Sequence, residues 1–437
     1  MAVVQTGFRD MYSAVGRAMG VAGLRMAEYP GSIPLEDLET VIEKALRTVA
    51  PAVIESFNSS APVWINEGNL SKPEAVVCSG DLERVQDYFY TQGWTDGLPV
   101  IPPTHSHVRE FLRHTPYEPF AILGQLPPER RGITPWNIAV NGVMAGCRPE
   151  HMPILVAIVE AILDPTFGVE HAGSTPSWEP LVIISGPVTK SMAFNSGAGA
   201  LKVGNRANTS IGRFLRLYLR NGAGFRPETG TDKGSIGYTF NVALAEDDDA
   251  VRALGWAPLR VDQGFEEEDT TVTVTSLLGT AGPLYTYGDT PESHARIMAN
   301  VAANTCGGWS GLGVLFKHWH PLLVLNPSVA KVLADHGWTK ADVQDFLYRE
   351  CKVTASSMDD VFRSVGLENV TLAGLVQEGE APNLYAESGD PSRLVPALYR
   401  PEWLTIVIAG DAAKNQSRFY INNMVQGVPV TRRVKFP

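Results

Sequence analysis

The chain has 437 residues, 44% of them hydrophobic, and a formal net charge of −11 at pH 7. That length allows two to three domains and a sizeable core, in the composition range of ordinary soluble globular proteins. The acidic balance argues against nucleic acid as a partner, because phosphate backbones need a basic face; an anionic small substrate held by local arginines remains compatible with it. Cys78, Cys147, Cys306 and Cys351 are far apart, with no CxxC and no zinc-ribbon spacing. So sparse a set implies a reducing, cytoplasmic setting without a disulfide framework. Arg9, Asp10 and Arg17 interrupt any secretory apolar core. The chain contains no run of about 18 apolar residues, so no membrane span is expected.

Residues 1–60 are expected to form a small N-terminal helical or α/β segment. Helices are assigned to 8–21 and 35–57, with a short strand and turn over 23–31 between them. Leu38, Val41, Ile42, Ala45 and Val49 have helical spacing, and Pro51 ends or kinks that helix. Residues 61–80 are a linker, broken by Ser71-Lys72-Pro73. The main domain covers 81–437, with a subdomain break allowed near 225–290.

That domain opens with a helix over 82–92. Residues 94–104 follow as a loop stiffened by Pro99, Pro102 and Pro103. Thr134-Pro135 supplies a cap and a first helical position, for a helix running to about Gly146. A second helix starts near Pro149 and continues to Leu163, which leaves Cys147 in the gap. Residues 181–188 read as a buried strand ended by Gly186-Pro187. Ile211, Phe214, Leu215 and Tyr218 line one face of a helix over 206–220. Further strands are assigned to 236–245, 271–277, 322–325 and 404–409. Asn326-Pro327 caps a helix that Gly337 ends, and Thr339 starts the next. The acidic run Glu246–Asp249 reads as a solvated loop. Alternating strands and helices give an α/β class, a mixed sheet with flanking helices.

The chemistry concentrates between 134 and 221. Cys147 at a helix start feels the positive end of the dipole, which favours thiolate, and Arg148 and His151 add to it. The alternative is a small buried residue filling a helix gap. In the next stretch, Gly197 and Gly199 let the backbone approach a ligand closely. The helix after Asn205 aims free N–H groups at an anion. Asn195, Asn205 and Asn208 offer donors there, and Arg206 a fixed charge. The alternative is a turn before an ordinary helix with solvated arginines at Arg213, Arg216 and Arg220. Asp96 reads either as the cap of its turn or as a general base, and His171 as a candidate for proton transfer. His105/His107 and His318/His320 would share one face on a strand and could chelate a metal, although no acidic or cysteine partner stands at a telling distance. Ser174, Ser196 and Ser210 lie in no G-x-S-x-G elbow.

Phe8, Ala14, Ala18, Gly20, Gly23, Leu24, Pro30-Gly31 and Val49-Ala50-Pro51 resemble the C-terminal half of the small thiol or selenol proteins of the UGSC family. The decisive C-G-S-C motif of that family is absent from this chain. Trp94-Thr95-Asp96-Gly97-Leu98-Pro99, Met144-Ala145-Gly146-Cys147-Arg148-Pro149-Glu150 and Arg206-Ala207-Asn208-Thr209-Ser210-Ile211-Gly212-Arg213 look like signature blocks of large bacterial proteins paired with, or fused to, that small thiol protein. The resemblance implies a separate small CGSC-containing subunit, hence an oligomer, and names no reaction.

Three readings follow. The first is an enzyme acting on a small anionic molecule by thiol-dependent lyase or oxidoreductase chemistry. Cys147, His151, His171 and Asp96 would be catalytic in it, and Arg148, Asn195, Gly197, Gly199, Asn205, Arg206 and Asn208 would bind. The second is a metal-dependent lyase or hydrolase using histidines and Asp96. The third is a non-catalytic subunit that positions a small redox partner. No cofactor is specified by the sequence.

Overall fold

Thr271–Thr280 alternates threonine and valine over its first five residues, a pattern suited to a strand packed on both faces. In the computed structural model it is the spine of the main sheet. The structure describes all residues except 1, 19–23, 32, 34–35, 59–73, 128–129, 174–178, 230, 233, 238–239 and 424–426. One side of the spine pairs antiparallel with Glu179–Ser185. Its other side takes Val430–Arg433 along 271–274 and Gln416–Asn422 along 277–280, both antiparallel. The sheet continues outward through Leu322–Leu325 to Thr405–Ile408 on one flank, and to Leu244–Ala245 on the other. The outermost pair on each flank is parallel. The class is therefore α/β with a mixed sheet.

Alternation sorts the side chains into three cores. Leu181, Ile183, Leu244, Leu322, Val324, Val407 and Tyr420 meet in one inner cluster. Val182, Ile184, Val272 and Val274 face a second core built largely from residues 89–225. Leu323, Leu325, Ile406, Ile408 and Phe419 face a third, drawn from residues 251–421. Strands from both flanks share the inner cluster, and the Asp247 N–H donates to the Ile408 carbonyl at 2.8 Å. The sheet is thus curled, with its two edges meeting.

Three helices position the site. Pro135–Ala145 starts on a capping box between Thr134 and Asn137 and stops at Gly146, which is left-handed at φ 87, a conformation a Cβ would strain. Met152–Ile162 follows one short turn and is buried at ten of its eleven positions. Arg206–Tyr218 starts at Asn205, whose side chain accepts from the Asn208 N–H. At Gly212 this last helix runs so close to the 241–242 backbone that an added Cβ would sit 2.4 Å from the Val242 nitrogen.

The structure differs from sequence expectation in identifiable places. Only Leu244–Ala245 of the strand expected over 236–245 forms; 238–239 lie outside the described residues, as does most of the expected linker. Gln416–Asn422, Val430–Arg433 and the helix Pro291–Cys306 form in addition to the elements that the sequence pattern predicts. Pro51 does not end its helix; a π turn over Ala45–Val49 widens the chain ahead of it, where the ring would otherwise meet the carbonyl four residues back. Ahead of the first helix, Ala2–Gln5 pairs parallel with Met26–Tyr29 and completes a small α/β unit. Glu246, expected in a solvated loop, is fully buried. Among the described residues no single helix is long and apolar enough to cross a membrane.

Candidate functional site

The end of Pro135–Ala145 and the start of Arg206–Tyr218 are tied together by Arg206, whose Nε donates to the Gly146 carbonyl at 3.2 Å. Between these helix ends and the 191–193 turn lies a cavity of about 320 Å³, lined by Arg148, Glu150, His151, Asn205 and Arg206 among others. His151 forms a buried part of its wall, only 2% exposed. Its Nδ1 accepts the Arg148 backbone N–H at 3.3 Å, so the neutral ring carries its proton on Nε2. Burial, aided by the charges of Arg148 and Arg206 and opposed by Glu150, lowers its pKa to about 4. At neutral pH His151 is therefore an uncharged hydrogen-bond donor.

Both guanidiniums beside it are exposed. Arg148 is 3.6 Å from Glu150, a weak and solvent-screened pair. Arg206 makes no ion pair among the described residues. The cavity thus holds excess positive charge in an acidic protein.

Cys147 sits behind this wall, in the gap between helices where the sequence places it. Burial pushes its thiol up to about 12, against the opposing influence of Ser210, Arg206 and Arg213. The Ser210 hydroxyl lies by it without a formed hydrogen bond. Desolvation outweighs the helix dipole, so Cys147 is a protonated thiol at neutral pH rather than the expected thiolate.

The asparagines do other work. Asn208 is buried; its Oδ1 accepts the Asn195 N–H, and its Nδ2 donates to the carbonyls of Asn195 and Ala243. Asn195 closes its own turn, accepting from the Gly197 N–H and donating to the Ala198 carbonyl. The loop through Gly197 and Gly199 is also pinned where Gly410 donates to the Ser196 carbonyl. Asn205 caps its helix and donates to the Ala193 carbonyl. Of this set only Asn205 lines the cavity; the others shape the loop behind it.

Asp96 lies elsewhere. It takes a two-pronged ion pair from Arg213, at 2.9 and 2.8 Å. Burial alone would raise its pKa, but the hydrogen bonds and charge of Arg213 outweigh that and hold it below the usual carboxylate range. The backbone N–H groups of Asp96 and Leu98 lower it further, as expected of a residue capping its own turn, and the Thr95 hydroxyl accepts the Gly97 N–H at 3.2 Å beside it. Arg216 and Arg220 are not solvated either: they pair with Glu179 and Glu228. These arginines fasten the 94–99 loop and the first sheet strand to the helix. His171 is half-buried on the turn Val169–Gly173 and lines neither the cavity of His151 nor that of Asp96. Ser174 lies outside the described residues.

The histidine pairs do not act as chelators on strands. His105 and His107 begin a helix, where i and i+2 diverge, and His320 stacks on Trp403 at 4.6 Å. Among the described residues no group of three or more His, Cys, Asp or Glu is placed to hold a metal ion. Comparison with protein-family models, with curated proteins and with solved structures gives no match for this chain.

Proposed function

We propose that the protein is an enzyme acting on a small anionic molecule at the Arg148–His151–Arg206 cavity. The supporting observation is His151, buried, neutral and fixed in the Nε2–H tautomer beside two exposed guanidiniums. Arg148 and Arg206 hold a carboxylate or phosphate group of the substrate. The first turn of Arg206–Tyr218 adds the positive end of its dipole. His151 donates its Nε2–H to the substrate oxygen on which charge develops, the role of a neutral imidazole electrophile. Lyase chemistry, in which such a polarised oxygen carries charge as a neighbouring bond breaks, fits this arrangement. Cys147 takes no nucleophilic part in it.

Calorimetric titration with malonate and with inorganic phosphate tests the site. Wild type binds at least one saturably, and the Arg148→Ala/Arg206→Ala double variant binds at least ~10-fold more weakly, as loss of charge-assisted hydrogen bonds requires. Absence of binding by wild type, or equal binding by the double variant, contradicts the proposal.

A second reading, a partner subunit, is favoured by the N-terminal unit. Leu38, Ile42 and Leu46 ahead of the π turn's end, and Ile54 and Phe57 after it, are all at least half exposed, exposed apolar side chains of the kind that mark interaction sites. In this reading a small subunit covers these side chains. Purification from the native host in stoichiometric complex with one small protein supports it, and a chain recovered alone removes it.

A further inference from the structure

The anion cavity contains one group that works against anions. Glu150 is the only acid among its lining residues; beyond Arg148, Arg206 and His151, the others are Ser191, Met192, Ala193, Asn205 and Ala207, none of them charged. The Glu150 carboxylate lies 3.6 Å from Arg148 Nη1, too far for a charge-assisted hydrogen bond. It accepts no hydrogen bond among the described residues. Its side chain is 44% exposed, so the oxygens are within reach of a ligand. Next to burial, the charge of Glu150 is the strongest influence on the His151 ring, stronger than that of Arg148 or Arg206, which puts the carboxylate close to the imidazole. A carboxylate in this place repels the anion that the two guanidiniums attract, and such a juxtaposition of like charges lowers affinity. For a ligand that brings its own cation to Glu150 the same charge becomes an attraction. Two positive charges and one negative on the protein are complementary to two negative charges and one positive on the ligand.

We infer that the substrate class of this cavity is a small dianion bearing a protonated amine, an inference that rests on the anion-site reading above. Arg148 and Arg206 hold the acidic groups, and the ammonium donates to Glu150. Glu150 thereby determines specificity, selecting the amine-bearing anion over the plain one. A cavity of about 320 Å³ lies at the small end of the range for small-molecule sites and suits a ligand of a few heavy atoms.

The test is calorimetric titration of the full chain at neutral pH with aminomalonate and with methylmalonate, in which a methyl group of nearly equal size replaces the ammonium. Wild type should bind aminomalonate at least ~10-fold more tightly, as a hydrogen bond between charged groups requires. Glu150→Gln, an isosteric change, should remove that preference. It should weaken aminomalonate while leaving methylmalonate binding equal or tighter, because the repelling charge is gone. A structural role for Glu150 would weaken both ligands together, so the opposite responses separate the two. Equal affinities in wild type, or a preference that persists in Glu150→Gln, overturns the inference, and saturable malonate binding by the same protein then shows that the anion site itself stands. Binding of neither ligand overturns it as well, and the malonate and phosphate titrations decide the anion site separately.

Discussion

Arg260 and Arg206 are both arginines near the starts of helices, yet they live in opposite regimes. Arg260 is 0% exposed; it pairs with both Asp248 oxygens and donates to Ser185 Oγ and to the Glu267 carbonyl. Ser185 donates in turn to Glu246, which also accepts the Leu259 N–H. This network lies where the strand edges of the curled sheet meet, and it is hydrogen-bonded throughout. Arg206 is exposed, with one bond to a carbonyl and no carboxylate partner among the described residues. A buried charge without partners costs several kcal/mol, so the first cluster had to be completed from within the fold. The second lies open, which leaves its charge to a ligand. Polar residues alone do not distinguish structure from function; completeness of their partners does.

Breaking the closed network should have the largest effect. Arg260→Leu removes the buried guanidinium from Asp248, Ser185 Oγ and the Glu267 carbonyl, leaves the part-buried Asp248 only its 3.8 Å contact with Arg252, and is expected to cost ~3 kcal/mol, read from denaturant midpoints. A loss below ~1 kcal/mol would mean that the network is not the lock described. Next comes the pH dependence of His151. Burial puts its folded pKa at about 4, below the ordinary 6.5, so the unfolded chain binds this proton more readily. Its contribution is fully present above pH 6.5 and is lost as pH falls from 6.5 toward 4, by up to ~3 kcal/mol. His320, also lowered to about 4 by burial and then by His318, adds a slope in the same window. His151→Phe should therefore reduce the acid-side slope without abolishing it; an unchanged slope would show that His151 is not held neutral by the fold.

Smaller effects separate the loop behind the cleft from the cleft itself. Asn208→Ala removes three hydrogen bonds to backbone and should cost ~1–3 kcal/mol, with faster amide exchange confined to 195–205. Arg148→Ala and Arg206→Ala should each change stability by less than ~0.5 kcal/mol, as surface substitutions do, while weakening anion binding. A large stability loss in either would move these arginines into the structural class. Last, iodoacetamide at pH 8 should label the half-buried Cys78 before the buried Cys147, Cys306 and Cys351; prompt labelling of Cys147 would restore the thiol reading.

The contrast also explains what was legible in the sequence. Features set by a few neighbouring residues were read directly: the Thr134 cap, the stop at Gly146, the buried run Leu322–Leu325, the gap holding Cys147. Features set by distant partners were not. Gln416–Asn422 looks too polar for an interior strand, yet Ser417 and Asn422 are buried and accept the backbone N–H groups of Asn326 and His320, at the two ends of the neighbouring strand Leu322–Leu325. Asp96 and Arg213 are 117 residues apart, and nothing local to either announces the other. For the same reason the sequence predicts a thiolate at Cys147: its helix position is visible in sequence, while its desolvation comes from the tertiary fold. Arg148 and Arg206 were legible as cations, and His151 as a titratable group; that they share a cavity is a property of three helix ends meeting.

Whether a neutral His151 faces an anion held by Arg148 and Arg206 is tested by nitrogen NMR of 15N-histidine-labelled protein at pH 7, with and without malonate. The expected result is a neutral Nε2–H tautomer for His151, with ring resonances that shift on titration with malonate in wild type but not in the Arg148→Ala/Arg206→Ala variant. A charged ring, the Nδ1–H tautomer, or resonances indifferent to malonate would contradict it.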